Sequence, residues 1–186
     1  MEAGDSCNVA PKTEKNIILQ NADLSSFPAK NVGGENTVIF IGCYDCDYSR
    51  KAYPDIQKLV NQKKSNYIFA HYPAKGHITD HLANAVYCVY KNYGDRFWDF
   101  NDYLFVAEED YILEPANMGS ILRQFGFDLE KCISSPTTKE AVAGQVEELD
   151  KTGLYGTPTV FINGQAFVGP KPYRVYRSAI NKFIFF

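Results

Sequence analysis

The feature that most constrains this chain is an apolar strand pattern that ends on a glycine and runs directly into two closely spaced cysteines. Residues 37–41 (Thr-Val-Ile-Phe-Ile) form an unbroken β-branched and aromatic run, the pattern of a strand buried on both faces, and Gly42 ends it. Over residues 44–62 the apolar side chains Tyr48, Ala52, Tyr53, Ile56, Leu59 and Val60 recur at helical spacing, with Pro54 expected as a kink. Cys43-Tyr44-Asp45-Cys46 therefore lies where a buried strand gives way to a helix. Two intervening residues bring both sulfurs within bonding reach. The start of the helix presents N–H groups without intrahelical partners and the positive end of its dipole, which stabilise a thiolate. The effect is expected to fall on Cys43 as the exposed nucleophile or leaving group, with Cys46 carried into the first turn and more buried.

Two other readings of the pair stay open at this point. A purely structural disulfide is one, although a bridge across two residues constrains little chain entropy. Zinc is the other, because His77 and His81 are four apart and would share a helix face, giving a formal ligand set with Cys43 and Cys46. Against zinc, a buried strand leading into a long helix is an unusual setting for a zinc knuckle, and no second C-x-x-C exists. His81 then reads as a helix residue facing solvent or a cleft.

Around this junction the pattern is β-α-β, a helical block, then β-β-α. Residues 16–19 are expected as a short strand, residues 25–36 as a loop, and residues 67–70 as a second core strand. Helical spacing then runs through Leu82, Ala85, Val86, Val89 and Tyr90, through Phe97, Phe100, Leu104 and Phe105, and through Ile121, Leu122 and Phe125. Residues 159–162, Asn163-Gly164 and residues 165–168 give a strong hairpin signal. A last helix is expected from Tyr173 to about Phe185, its start favoured by Pro172. This order predicts an α/β fold with a helical insertion, divided into an N-terminal segment with a first strand (1–35), a core built from 36–75 and 153–186, and the helical insertion 76–152. With 186 residues, 45% of them hydrophobic, one compact unit is expected. The 19 basic residues against 22 acidic ones give no field that would gather nucleic acid, so no nucleic-acid partner is expected.

Tyr155-Gly156-Thr157-Pro158-Thr159-Val160-Phe161-Ile162 sets a proline directly before a strand. Together with C-x-x-C it closely resembles the thioredoxin superfamily, and three stretches narrow the resemblance to DsbA-like proteins. Residues 85–105, with Cys88, Phe97-Trp98 and Asp102-Tyr103-Leu104-Phe105, resemble the family's A-x-x-C … FW-x-x-x-D-x-L-F pattern. Residues 127–132, ending on Cys132, resemble its D-x-x-x-C helix, and residues 156–169 its GTPT … G block. The resemblance covers roughly residues 36–185 and implies a thioredoxin-like fold with an inserted α-helical domain. It implies a cis Thr157-Pro158 bond facing the cysteines, with the Thr157 backbone pairing an extended substrate. It also implies a Cys88-Cys132 disulfide, worth on the order of 3 to 4 kcal/mol and suited to an oxidising compartment. Two reduced core cysteines remain the alternative.

The activity implied is thiol-disulfide exchange through Cys43 and Cys46, most readily as an oxidase that donates disulfides to secreted or periplasmic proteins. No organic cofactor or metal is required. Partners would be cysteine-containing proteins and a membrane re-oxidase of the DsbB or vitamin K epoxide reductase type, and the chain is expected as a monomer. A periplasmic or cell-envelope location is expected, although MEAGDSCNVA lacks the pattern of a secretory signal. Cys7, in a polar terminus, reads as an incidental thiol or a lipid-anchor residue. A reductase or isomerase using the same site, or a non-catalytic peptide-binding module, are the alternatives.

Departures from the family fall inside the pair. Asp45 stands where strongly oxidising relatives often have His, and its charge opposes the helix end, so a less oxidising disulfide is expected. Tyr44 replaces a frequent Pro and would supply an aromatic surface or a hydroxyl near the sulfur, or simply be an exposed tip residue. The buried acid of many thioredoxins aligns with Thr37, which leaves water or Glu35 to move the Cys46 proton.

Overall fold

A computed structural model of the chain describes Ile17, Leu19, residues 22–73 and residues 80–180. Its centre is β2 (Thr37–Gly42), whose β-branched run is buried on both faces. β2 pairs in parallel with β3 (Asn66–His71), from Thr37 opposite Asn66 to Gly42 opposite His71. A parallel pair needs a crossover, and α1 (Asp47–Lys63) supplies it, laying Ala52, Tyr53, Ile56, Leu59 and Val60 against the core. The helix runs on through Pro54 and ends at Lys64, which takes a left-handed conformation and donates its N–H to Val60 O.

On the other side of β2 lies β4 (Thr159–Ile162), antiparallel, and then β5 (Gln165–Val168). Asn163 and Gly164 join β4 to β5 with positive φ angles of 49° and 83°, as a two-residue hairpin turn requires. β1 (Ala29–Lys30) pairs antiparallel with β3, so the sheet order is β1-β3-β2-β4-β5. The stretch expected as loop thus contains a two-residue edge strand, held by backbone pairing to Tyr67 and Ile68 that leaves no sequence pattern. Of the strand expected over residues 16–19, Ile17 and Leu19 are described and neither lies in a strand; Asn16 and Ile18 fall outside the described residues, as does Cys7.

Between β3 and β4 come α2 (Asp80–Tyr93), a short 3-10 turn (Gly94–Arg96), α3 (Phe97–Val106), α4 (Glu109–Leu113), α5 (Pro115–Gln124), α6 (Glu130–Ile133) and α7 (Pro136–Asp150). α2 is the hub and packs on α3, α5, α6 and α7. α8 (Tyr173–Ile180) packs on α1; the rest of the helix expected to about Phe185 lies outside the described residues. Alternate residues of β2 serve two cores. Val38 and Phe40 join one continuous cluster with α1, α2, α3 and α5, while Ile39 and Ile41 face Phe27, Tyr72, Phe161 and Leu149 of α7. The inserted helices share the core of the sheet.

Candidate active site

The strand register decides what meets what. Because Ile41 lies opposite Thr159, the residues preceding β4 are carried to the end of β2 where the cysteine turn begins. The Thr157-Pro158 peptide bond in that loop is cis. Thr157 reaches both sulfurs with opposite polarity: its hydroxyl donates to Cys43 Sγ at 3.7 Å, and its carbonyl accepts from Cys46 Sγ at 3.6 Å. Gly42 is required just before the turn, since a Cβ there would come within 2.8 Å of the Phe40 ring.

α1 begins at Asp47, three residues later than its apolar spacing suggests. Cys46 is the N-cap, with extended backbone at φ −116° and ψ 111°. Its carbonyl accepts from Arg50 N at 2.9 Å, while Cys43 N–H donates to Ser49 Oγ at 3.2 Å. Both cysteines therefore sit ahead of the helix, near its positive end. Cys43 is 0% exposed and Cys46 1%, which corrects the expectation of an exposed Cys43. The physical reason is the Thr157 loop, which lies against both sulfurs.

Tyr44 is 0% exposed, which removes both the tip-residue reading and the aromatic-surface reading. Its ring centroid lies 4.8 Å from that of His71, 4.7 Å from Phe105 and 5.5 Å from Phe69. Its hydroxyl donates to Asn101 Oδ1 at 2.7 Å. Burial raises the phenol well above its ordinary value, so it stays a neutral donor. Tyr44, Phe69 and Phe105 are thus core side chains.

Asp45 is buried beside His71, which the parallel register sets opposite Gly42. Burial pushes the His71 imidazole down to about 4, against the charge of Asp45 and the nearby Gly42 backbone, both of which favour the cation. Neither ring nitrogen has a hydrogen-bond partner of normal geometry among the described residues. Glu35, expected as one candidate proton carrier, is exposed beyond the opposite end of β2, a strand that alone spans roughly 17 Å.

Cys88 on α2 and Cys132 on α6 are joined by a disulfide with Cα atoms 6.0 Å apart, and Thr138 Oγ1 of α7 lies within 3.7 Å of both sulfurs. His81 on α2 lies 3.4 Å from Ile112 O. Among the described residues no group of three or more His, Cys, Asp or Glu side chains is gathered for a metal ion; His77 lies outside them. No helix among them is long and apolar enough to cross a membrane.

Three site residues escape the sequence reading: Ser49, His71 and Asn101. Asn101 did leave a signal, being a polar residue on the same helix face as Phe97 and Phe105. Ser49 and His71 left none, since a serine in a first turn and a histidine at a strand end are both ordinary.

Comparison with known proteins agrees with this geometry. A curated relative, disulfide bond formation protein D of Bacillus subtilis, is 26% identical over 160 residues, covering 78% of this chain and 71% of that protein. A Na(+)/H(+) antiporter, NhaA 3 of Salinispora tropica, is 25% identical over 139 residues, or 72% of this chain, which spans only 21% of the antiporter's length. Among solved structures, a thioredoxin-like oxidoreductase from Silicibacter pomeroyi superposes with a TM-score of 0.72 at 20% identity, covering 92% of this chain and 96% of that one. The thiol-disulfide exchange protein α-DsbA2 of Wolbachia pipientis gives 0.69 at 21% identity, covering 84% and 87%. At such identities the likeness is one of fold. The model of the thioredoxin family matches residues 34–182, from before β2 to the end of α8, and the chain belongs to that family.

Proposed function

We propose that the chain is a thiol-disulfide oxidoreductase acting through Cys43 and Cys46, and within that class a DsbA-like oxidase that donates disulfides to proteins outside the cytoplasm. The observation that carries this reading is the opposed pair of Thr157 contacts. A hydroxyl donating to Cys43 favours its thiolate, and a carbonyl accepting from Cys46 favours its thiol, so one residue fixes which sulfur leaves and which keeps a proton.

In the oxidising direction a substrate thiolate attacks Cys43 Sγ, the Cys43-Cys46 bond breaks, and Cys46 leaves and takes up a proton. A second substrate thiolate then attacks the substrate sulfur of the mixed disulfide, and Cys43 leaves as the thiolate. Two electrons have passed from substrate to enzyme, and a membrane re-oxidase of the DsbB or vitamin K epoxide reductase type would remove them. Since both sulfurs are buried, the Thr157 loop must yield before a substrate reaches Cys43. Tyr48, 42% exposed two residues beyond Cys46, and the exposed Val106, between the Phe105 and Ala107 carbonyls that accept from Arg50, offer apolar surface for an unfolded substrate. The Cys88-Cys132 bridge supports an oxidising, extracytoplasmic setting.

Asp45 keeps a reductase or isomerase in play as the second reading, since a buried carboxylate beside the pair weakens the oxidant. Equilibration of the pair in glutathione buffers, with alkylated thiols read by mass, separates the two. A potential between about −120 and −180 mV supports the disulfide donor, and one near about −270 mV supports a reductant. A Cys43→Ser variant that keeps full exchange activity would instead favour a non-catalytic binding module.

A further inference from the structure

Tyr44 begins a chain of hydrogen bonds that leaves the cysteine turn altogether. Its O–H donates to Asn101 Oδ1 at 2.7 Å, Asn101 Nδ2 donates to the Tyr53 oxygen at 2.6 Å, and Tyr53 O–H donates to Asp102. Asn101 and Asp102 belong to α3 in the inserted helices, whereas Tyr53 belongs to α1 of the core. Every donor points the same way, so each bond polarises the next, and the chain ends on an exposed carboxylate. The Tyr44 ring is meanwhile packed among His71, Phe105 and Phe69. A side chain held by both ring and hydroxyl cannot shift without leaving buried polar groups unpaired.

We propose that Tyr44 is a positioning residue for the Cys43-Cys46 pair, and that the chain through Asn101, Tyr53 and Asp102 lets the inserted helices bias the equilibrium between dithiol and disulfide. This rests on the redox reading of the two cysteines. Oxidation by glutathione disulfide forms the Cys43-Cys46 bond, breaks the glutathione S–S bond, and moves two electrons and the two thiol protons to give two molecules of reduced glutathione. The new bond joins the sulfurs across Tyr44 and Asp45. In the arrangement described above both cysteines are reduced, Cys46 donates to Thr157, and it is with the turn in this form that the chain holds Tyr44. Contacts that favour the dithiol make the disulfide a stronger oxidant, and cutting them shifts the equilibrium toward the disulfide.

The test measures the equilibrium constant with glutathione for the unaltered protein, Tyr44→Phe, Asn101→Leu and the double variant. Each single change is expected to shift the constant toward the disulfide by about twofold to tenfold, the share of one neutral hydrogen bond felt by one redox state. The double variant should shift it no further than the larger single change, because both cut the same chain. If Asn101→Leu does not fold, Asp102→Asn replaces it; it keeps the oxygen that accepts from Tyr53, removes the charge, and should give a smaller shift of the same sign. A merely structural Tyr44 would lower the stability of both redox states and leave the constant unchanged. Unchanged constants, or additive shifts in the double variant, overturn the proposal. If the unaltered protein fails to equilibrate with glutathione, the redox reading itself fails. Normal equilibration with an unmoved Tyr44→Phe variant refutes only the role given to Tyr44.

Discussion

Replacing His71 with leucine should flatten the acid limb of the protein's stability. His71 is 8% exposed and lines a small cavity with Tyr87 and Tyr90 of α2 and Gln145 of α7, while the charged group facing it is Asp45. Burial holds its imidazole at about 4 in the folded protein, below the ordinary value of 6.5. Below pH 6.5 the unfolded chain therefore takes up a proton that the folded chain refuses, and stability falls as the pH drops toward 4. At 1.36 kcal/mol per unit the full span amounts to about 3 kcal/mol, of which roughly half is lost between pH 6.5 and 5, above the main carboxylate range. Urea unfolding at half-unit steps from pH 7.5 to 4.5 measures this directly. The unaltered protein should lose about 1.5 kcal/mol more than His71→Leu between pH 6.5 and 5, with the other two histidines cancelling between the two curves. Asp45→Asn, which removes the charge that favours the cation, should carry the fall on to lower pH. Parallel curves for the unaltered protein and His71→Leu would refute the placement of a neutral, buried imidazole beside the turn.

Other expectations follow from single contacts. Replacing both Cys88 and Cys132 with serine opens a loop of 44 residues and should cost about 4 kcal/mol by chain entropy, read by chemical denaturation. Thr157→Val removes the hydroxyl that donates to Cys43, so thiolate absorbance near 240 nm should grow in at higher pH than in the unaltered protein; an unmoved titration would show that the contact does not tune Cys43. Arg50 donates to the carbonyls of Leu104, Phe105 and Ala107 at the end of α3, and Arg50→Met should destabilise the fold by about 2 kcal/mol, seen as a lower denaturation midpoint.

The readable parts of the sequence were those in which one local rule acts alone. β2 is legible because a strand buried on both faces must be apolar at every position, and the β4-β5 turn is legible because positive φ at two successive residues calls for Asn-Gly. The helices whose apolar residues recur at helical spacing were legible for the same reason. α7 was not, since its apolar stripe is short: Thr138 and Leu149 are its only buried residues, with Val146 partly buried against the second core. β1 is two residues paired by backbone alone, and the start of α1 depends on how Tyr44 packs. The candidate site divides in the same way. The two cysteines and Thr157-Pro158 are marked by spacing and by resemblance. The burial of Cys43, the inward turn of Tyr44 and the approach of His71 arise from tertiary contacts among β3, α3 and the turn, which no local pattern encodes.

The most direct test of the central claim is to trap the exchange intermediate. In a Cys46→Ala variant, the Cys43 thiolate should attack a disulfide-bonded peptide, release one peptide thiol, and remain joined to the other half as a stable mixed disulfide. Intact mass and peptide mapping, which separates Cys43 from Cys7, are predicted to show one peptide adduct on Cys43. An adduct level no higher than that of a variant lacking both Cys43 and Cys46 would contradict the account.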